Sequence, residues 1–278
     1  MKVASRVALA ALAVLSATPV GAQSLPAALK LPRGAIIAFK AEETNEDDFA
    51  GRHQRSVGAV EYREALTPAQ NMIWVERTLR TQTGTFAGDP ADLFARVPKV
   101  TYLAGARLHP LLVKDYPQIV AAIFETGPLA GASEDERAEA GLSPSRRRLF
   151  ERLTPDQAAA SLMLAQVLIA EPQGRALALG KPFVFPPELN RSGVRTLVFK
   201  EIDKATGLAR VVLDDTLSGP AGPGASMTVS THCDYGVDMV TGLAVEASCA
   251  LGRDLVAPDG MSRKTVQQFT VSQAIVEP

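Results

Sequence analysis

Cysteine, histidine and aromatic residues are scarce in this chain. It has two cysteines, three histidines and one tryptophan in 278 residues, and aromatics make up 5%. Two cysteines exclude a disulfide-dense scaffold and a zinc site built on four thiolates. His53, His109 and His232 lie far apart, and none stands at metal-ligand spacing from another histidine or a cysteine. There is no G-x-S-x-G elbow, no H-E-x-x-H, no S-x-x-K with a plausible partner and no phosphate-cradling glycine loop. No catalytic, cofactor-binding or metal-binding residue is assigned on this basis, and no cofactor is expected. Charge of one sign is also missing: 29 basic residues stand against 30 acidic ones. That balance gives no electrostatic footprint for nucleic acid or an anionic membrane. Beyond the leader no stretch of about 18 consecutive apolar residues is available to span a bilayer as a helix.

What is present begins with a leader. Residues Met1 to Ala22 start with Lys2 and Arg6, run apolar from Val7 to Leu15, and end on Val20-Gly21-Ala22 before Gln23. This layout predicts a secretory signal cleaved near Ala22. No cysteine follows the apolar run, so a lipid-modified N-terminus is excluded. The expected destination is a bacterial periplasm or the medium, an oxidising space.

The C-terminal stretch carries the clearest pattern. Met227, Val229, Thr231, Cys233, Tyr235 and Val237 alternate with Ser226, Thr228, Ser230, His232 and Asp234. Leu243, Val245, Ala247, Cys249 and Leu251 repeat the alternation on the way back. A period of two with one dry face predicts a hairpin. With Cys233 opposite Cys249, Asp238 faces Ala244 and five residues, Met239 to Leu243, make the turn. The two cysteines are then a cross-strand pair. Their disulfide would contribute roughly 3 kcal/mol in the chain-entropy model; two buried free thiols are the alternative.

Other segments read as follows. Gly34 to Lys40, Gln54 to Glu64, Asn71 to Thr83 and Lys99 to Ala104 are strand candidates, and Pro110 makes Arg107 to Val113 an edge segment. Trp74 reads as a core or half-buried sheet position, with the lining of a ligand cavity as the alternative. The acidic run Glu42 to Asp48 lacks the turn glycine and ligand spacing of a calcium loop and reads as a solvated connection. A helix is expected after Asp115, ending at Gly127-Pro128. Pro128 to Arg148 is polar, and Arg146-Arg147-Arg148 reads as a solvated face. Leu153 to Glu171 is expected to be one helix, opened by the capping box Thr154-Pro155-Asp156-Gln157. From Val194 onward the pattern is all strand: Arg195 to Asp203, Ala209 to Leu217, the two arms above and Thr265 to Val276. The string D-x-x-T-G-L-A occurs at both Asp203 and Asp238. The connection Gly219 to Gly224 is not expected to continue a strand.

The fold class expected is α+β: a curved antiparallel sheet of long hairpins covered by one or more helices, with the Thr154–Glu171 helix as the main cover. The division expected is 1–22 leader, 23–127 an N-terminal α+β half, 128–190 a helical connection with the covering helix, and 191–278 a C-terminal antiparallel meander. The leader, the long antiparallel strands, the Thr154–Glu171 helix and the Asp238–Gly242 turn together resemble the periplasmic lipoprotein-carrier family and its lipid-binding relatives. The resemblance implies a half-barrel closed by helices, with acyl chains held between sheet and lid, and it carries over no binding residue. Three functions stay open. One is a non-catalytic binder of lipid or another apolar ligand, with its cavity between the sheet and the Thr154 helix. Another is an envelope assembly or protein-interaction module. The third is a hydrolase of unrecognised type, which requires His53, His109 or His232 in a cleft near carboxylates.

Overall fold

The computed structural model describes residues 23–85, 94, 97–125, 144–188 and 190–277. The leader, the helix stop at Gly127-Pro128 and most of the polar middle lie outside them. Five strands come first: β1 (Ile36–Phe49), β2 (Arg52–Ala69), β3 (Met72–Thr85), β4 (Lys99–Gly105) and β5 (Pro110–Val113). Among the described residues four short helices follow: α1 (Tyr116–Phe124), α2 (Pro144–Arg152), α3 (Pro155–Leu162) and α4 (Leu164–Ala170). The chain ends with β6 (Pro182–Val184), β7 (Ser192–Ile202), β8 (Ala209–Gly222), β9 (Ala225–Val237), β10 (Ala244–Val256) and β11 (Ser262–Glu277).

All eleven strands form one sheet in the order β5-β4-β3-β2-β1-β11-β10-β9-β8-β7-β6. Every pair is antiparallel. The α+β plan expected above is therefore incorrect: the fold is mostly β, and the helices are not a layer over a sheet. Topology supplies the reason. The first five strands meander outward to one edge, and the last six start at the opposite edge and meander back to pair β11 with β1. The residues between β5 and β6 must therefore travel from one edge of the sheet to the other. Their described helices pack against its inner face on the way.

The crossing also explains the break in the expected long helix. The capping box forms, with the Thr154 N–H donating to Gln157 Oε1 at 3.0 Å. The helix then stops at Met163, whose φ of −119° and ψ of 42° are not helical. Met163 is fully buried, and the chain resumes as α4. Before the break, Ala158, Ala159 and Leu162 pack with Tyr102, Val113 and Phe150. After it, Leu168 and Ile169 pack with Phe39, Leu213, Tyr235 and Val271. One straight helix would have to serve both clusters from a single face; the bend lets each half point at its own.

Two further differences have local causes. The acidic run is the far half of β1, with its backbone paired on both sides. Its charges meet cations across the strands: Arg263 donates two hydrogen bonds to Asp47, at 2.9 and 2.6 Å, and Arg55 lies 3.5 Å from Glu46. Strand β8 continues through Gly219 and Pro220 to Gly222, with a register shift near its end. In the C-terminal hairpin Cys233 faces Cys249 and the two are joined by a disulfide. The turn is one residue shorter than expected. The Asp238 N–H donates to the Leu243 carbonyl, and a bulge before Glu246 restores the register. The second copy of the turn string has the same hydrogen bonds, from Asp203 to Leu208 and from Gly207 to Asp203. In both, glycine takes the left-handed position, φ 74° at Gly242 and 73° at Gly207.

Candidate functional site

After α4 the chain forms a strap along the inner face. Pro172 and Gly174 end the helix, and the strap leads into β6. It is tied on both sides. Leu25 from the lead-in donates to the Leu177 carbonyl, and Gly180 donates to Phe199 on β7. Gln273 Nε2 donates to the Ala244 carbonyl at 2.6 Å and to Gln173 Oε1 at 3.4 Å, which anchors the strap beside β11.

Glu171, at the end of α4, is the hub of a charged cluster. Its side chain is 8% exposed. Arg175 donates through Nη2 to Glu171 Oε2 at 3.2 Å and through Nε to the Glu171 carbonyl at 2.6 Å. Arg195 on β7 donates to Glu171 Oε1 at 2.8 Å. Both carboxylate oxygens are thus committed. The Arg175 guanidinium lies 4.9 Å from the Phe183 ring centre and 4.7 Å from that of Phe185. The Arg195 guanidinium lies 4.5 Å from the Phe185 ring centre. The two rings meet edge to face and fix the direction of both cations.

Asp215 faces Arg195 across the β7–β8 ladder. Its side chain is 8% exposed, and its Oδ1 is buried with no hydrogen-bond partner among the described residues. Burial pushes its carboxyl above the usual range, against the pull of Arg195. At the other end of the cluster stands the β4–β5 turn. Burial lowers the His109 imidazole, Glu171 opposes this, and Arg107, Arg195 and Arg175 reinforce it. Burial and the neighbouring Arg107 charge also lower Arg175. A turn beside one edge strand and a residue of β7 beside the other therefore share one electrostatic neighbourhood. The sheet is curled around the strap.

Arg107 is held by contact with the strap. Gly174 has φ +57°, and a Cβ there would sit 3.1 Å from Arg107 Cγ and 3.5 Å from the Leu29 nitrogen. Glycine is required both by the backbone and by this approach. Beside the contact opens a cleft of about 390 Å³, lined by Leu29, Leu31, Leu66, Met72 and Ile73 and reaching Ala106. Apolar walls thus adjoin a cationic corner.

A second buried polar group lies under β2 to β4. Glu64 and Arg77 are register partners. The Tyr102 hydroxyl donates to Glu64 Oε1 at 3.0 Å, and Arg77 lies 4.4 Å from the Tyr62 ring centre. Burial raises the Glu64 carboxyl in spite of Arg77 and Tyr102.

The histidines do not converge. His53 pairs with Asp48 at 2.7 Å and His232 with Asp214 at 2.7 Å and Asp234 at 3.3 Å, all exposed. Only His109 is drawn into the cluster. Among the described residues no group of three or more histidine, cysteine, aspartate or glutamate side chains is placed to hold a metal. None of the described helices is long and apolar enough to cross a membrane, which says nothing of strands. Arg147, from the basic run, is engaged with Glu125 and Glu151. Sequence reading missed Glu171, Arg175, Arg195 and Asp215. A signal existed for two of them: Arg195 is in phase with Leu197 and Phe199, and Asp215 with Val211 and Leu213, all four of which are fully buried. A charge on the dry phase of two adjacent strands marks a buried polar site.

No family model and no curated protein matches this chain. Solved structures give distant likenesses. A DUF1329 family protein from Desulfovibrio piger is 9% identical over 87% of each chain, with a TM-score of 0.18. The COG4313 outer membrane channel from Pseudomonas putida F1 is 9% identical over 92% of this chain and 99% of that one, with a TM-score of 0.23. The translocator domain of the autotransporter NalP from Neisseria meningitidis is 8% identical over 87% and 89%, with a TM-score of 0.19. Scores this low carry no argument about fold or function.

Proposed function

We propose that this is an exported protein of a bacterial envelope that holds an apolar or amphiphilic ligand. The leader pattern and the disulfide support the compartment. The carrying observation is the apolar cleft at the β2–β3 end of the sheet. Its place differs from the one expected. Between the sheet and α4 the side chains are packed, with Leu164, Leu168 and Ile169 in one cluster with Phe39, Leu213 and Tyr235. The cleft lies instead where the lead-in residues Leu29 and Leu31 meet Leu66, Met72 and Ile73. Its volume suits one small ligand or one end of a longer one. Native mass spectrometry of protein purified gently from the periplasm tests the reading. A co-purified lipid-class adduct, displaced when Met72→Glu is introduced, is expected; repeated clean spectra of the unaltered protein would overturn it.

A second reading, an envelope interaction module, is favoured by Val184 and Val194. They are 59% and 61% exposed on neighbouring strands at the β6 edge. A photo-crosslinker at Val194 should give a discrete adduct in the periplasm that one at exposed Val240 does not. Identical patterns from the two sites would dismiss it.

A further inference from the structure

We propose that Arg107, backed by Arg175, binds the oxyanion head, phosphate or carboxylate, of the ligand whose apolar part occupies the cleft beside Leu29. This rests on the ligand-holding reading above and adds the chemistry of the head. The cluster contains three guanidiniums, those of Arg107, Arg175 and Arg195, and its central carboxylate is already divided between two of them. Arg107 has no hydrogen bond or ion pair with any described residue, and it sits close enough to Arg175 for their charges to repel. Three guanidiniums stand against two carboxylates, Glu171, committed to Arg175 and Arg195, and Asp215, 3.7 Å from Arg195, so positive charge is left unspent at Arg107. Arg175 cannot swing away, because Phe183 and Phe185 flank it and Glu171 holds it at two points. Arg107 cannot retreat toward the strap, because its stem is against Gly174.

The cleft agrees with this charge. Its wall passes through Ala106, the residue before Arg107, and through Leu29, whose backbone lies at the same glycine. None of its lining residues is acidic, and Arg33 is among them. An amphiphile with its tail against Leu31, Leu66 and Met72 would bring its head to Arg107. The planar fork of a guanidinium suits a phosphate or a carboxylate, and desolvation by the surrounding chain strengthens the pairing.

Calorimetry on the purified, disulfide-bonded protein separates this proposal from the reading beneath it. The probes are decyl phosphate, decyl glucoside of the same chain length, and inorganic phosphate; the proteins are the parent, Arg107→Gln and Arg107→Lys. The parent should bind decyl phosphate about tenfold tighter than decyl glucoside. Arg107→Gln should erase that preference while leaving decyl glucoside unchanged, and Arg107→Lys should keep part of it as a point charge. Equal binding of both amphiphiles to the parent and Arg107→Gln would overturn the oxyanion site and leave the cleft standing. Phosphate binding that Arg107→Gln abolishes, with no binding of either amphiphile, would uphold the oxyanion site for a free anion and sink the ligand-holding reading. No binding of any probe would remove both. Should Arg107→Gln melt below the parent, the Arg107→Lys comparison decides alone: an unchanged ratio between the amphiphiles counts against the proposal.

Discussion

Single side chains on the inner face bear unequal electrostatic loads, and Glu171 bears the largest. It answers Arg175 and Arg195 with a side chain that is 8% exposed. Removing one partner from a buried ionic group costs about 3 kcal/mol, because the remaining charges stay desolvated without compensation. Glu171→Gln should therefore lower unfolding stability by about that amount in urea titration. A loss under about 0.5 kcal/mol would mean water already reaches the two guanidiniums. Glu64 makes the opposite case. Burial raises its pKa from 4.5, so the folded protein keeps this proton to a higher pH than the unfolded chain does. Stability from this group is full below pH 4.5 and is lost as the pH rises through the folded value. Glutamine has no such proton. Glu64→Gln should gain on the parent as the pH goes from about 5 to about 8, read from urea midpoints at each pH. A difference that stays flat would mean that Arg77 and Tyr102 offset the desolvation of the carboxylate.

Among the elements, the C-terminal hairpin was the most legible in sequence, because a period of two, a turn string and two cysteines all specify one register. Cys233 and Cys249 close a loop with a sequence separation of 16. Opening it, by reduction or by Cys233→Ser with Cys249→Ser, should cost about 3 kcal/mol in the chain-entropy model. The test is the shift of the guanidinium midpoint on adding reductant, and no shift would place the constraint in the turn alone. The long helix was less legible. Leu153 to Glu171 has helical spacing throughout, and nothing local marks Met163 as a break. That residue bends the chain because two separate clusters claim the halves on either side of it. Propensity sees one helix; tertiary packing decides on two. The acidic half of β1 misled for a related reason. The run read as a connection, whereas it is strand, paired with β2 and β11, from which Arg55 and Arg263, far apart in sequence, meet its partly exposed carboxylates.

At the scale of the whole molecule the pairing of β1 with β11 decides everything else, and no short window of sequence reveals it. It makes one sheet from two meanders and puts β5 and β6 at opposite edges, so the chain between them has to link one edge to the other. That crossing brings Arg107, Glu171 and Arg195 together from three separate parts of the chain, which is why the charged cluster was invisible to motif search. The lead-in completes the arrangement. Leu25 is 3% exposed within the core, its N–H donates to Leu177, and the Lys30 N–H donates to Thr241 in the hairpin turn. Leu29 and Leu31 form one wall of the cleft. The lead-in therefore ties strap to hairpin and gives the proposed ligand site its shape. Residues 23–33 removed, the chain should still form its sheet, since every strand and the disulfide remain. It should lose about 3 kcal/mol from the exposure of Leu25 and of the surfaces beneath it, at about 25 cal/mol per Å² of apolar area. Decyl glucoside binding should disappear with it. Hydrogen exchange would show the same linkage in the intact protein, with the amides of Leu25, Lys30 and Leu177 protected together when the cleft is filled. A truncated chain that binds decyl glucoside as well as the intact one would place the ligand elsewhere on the curled sheet.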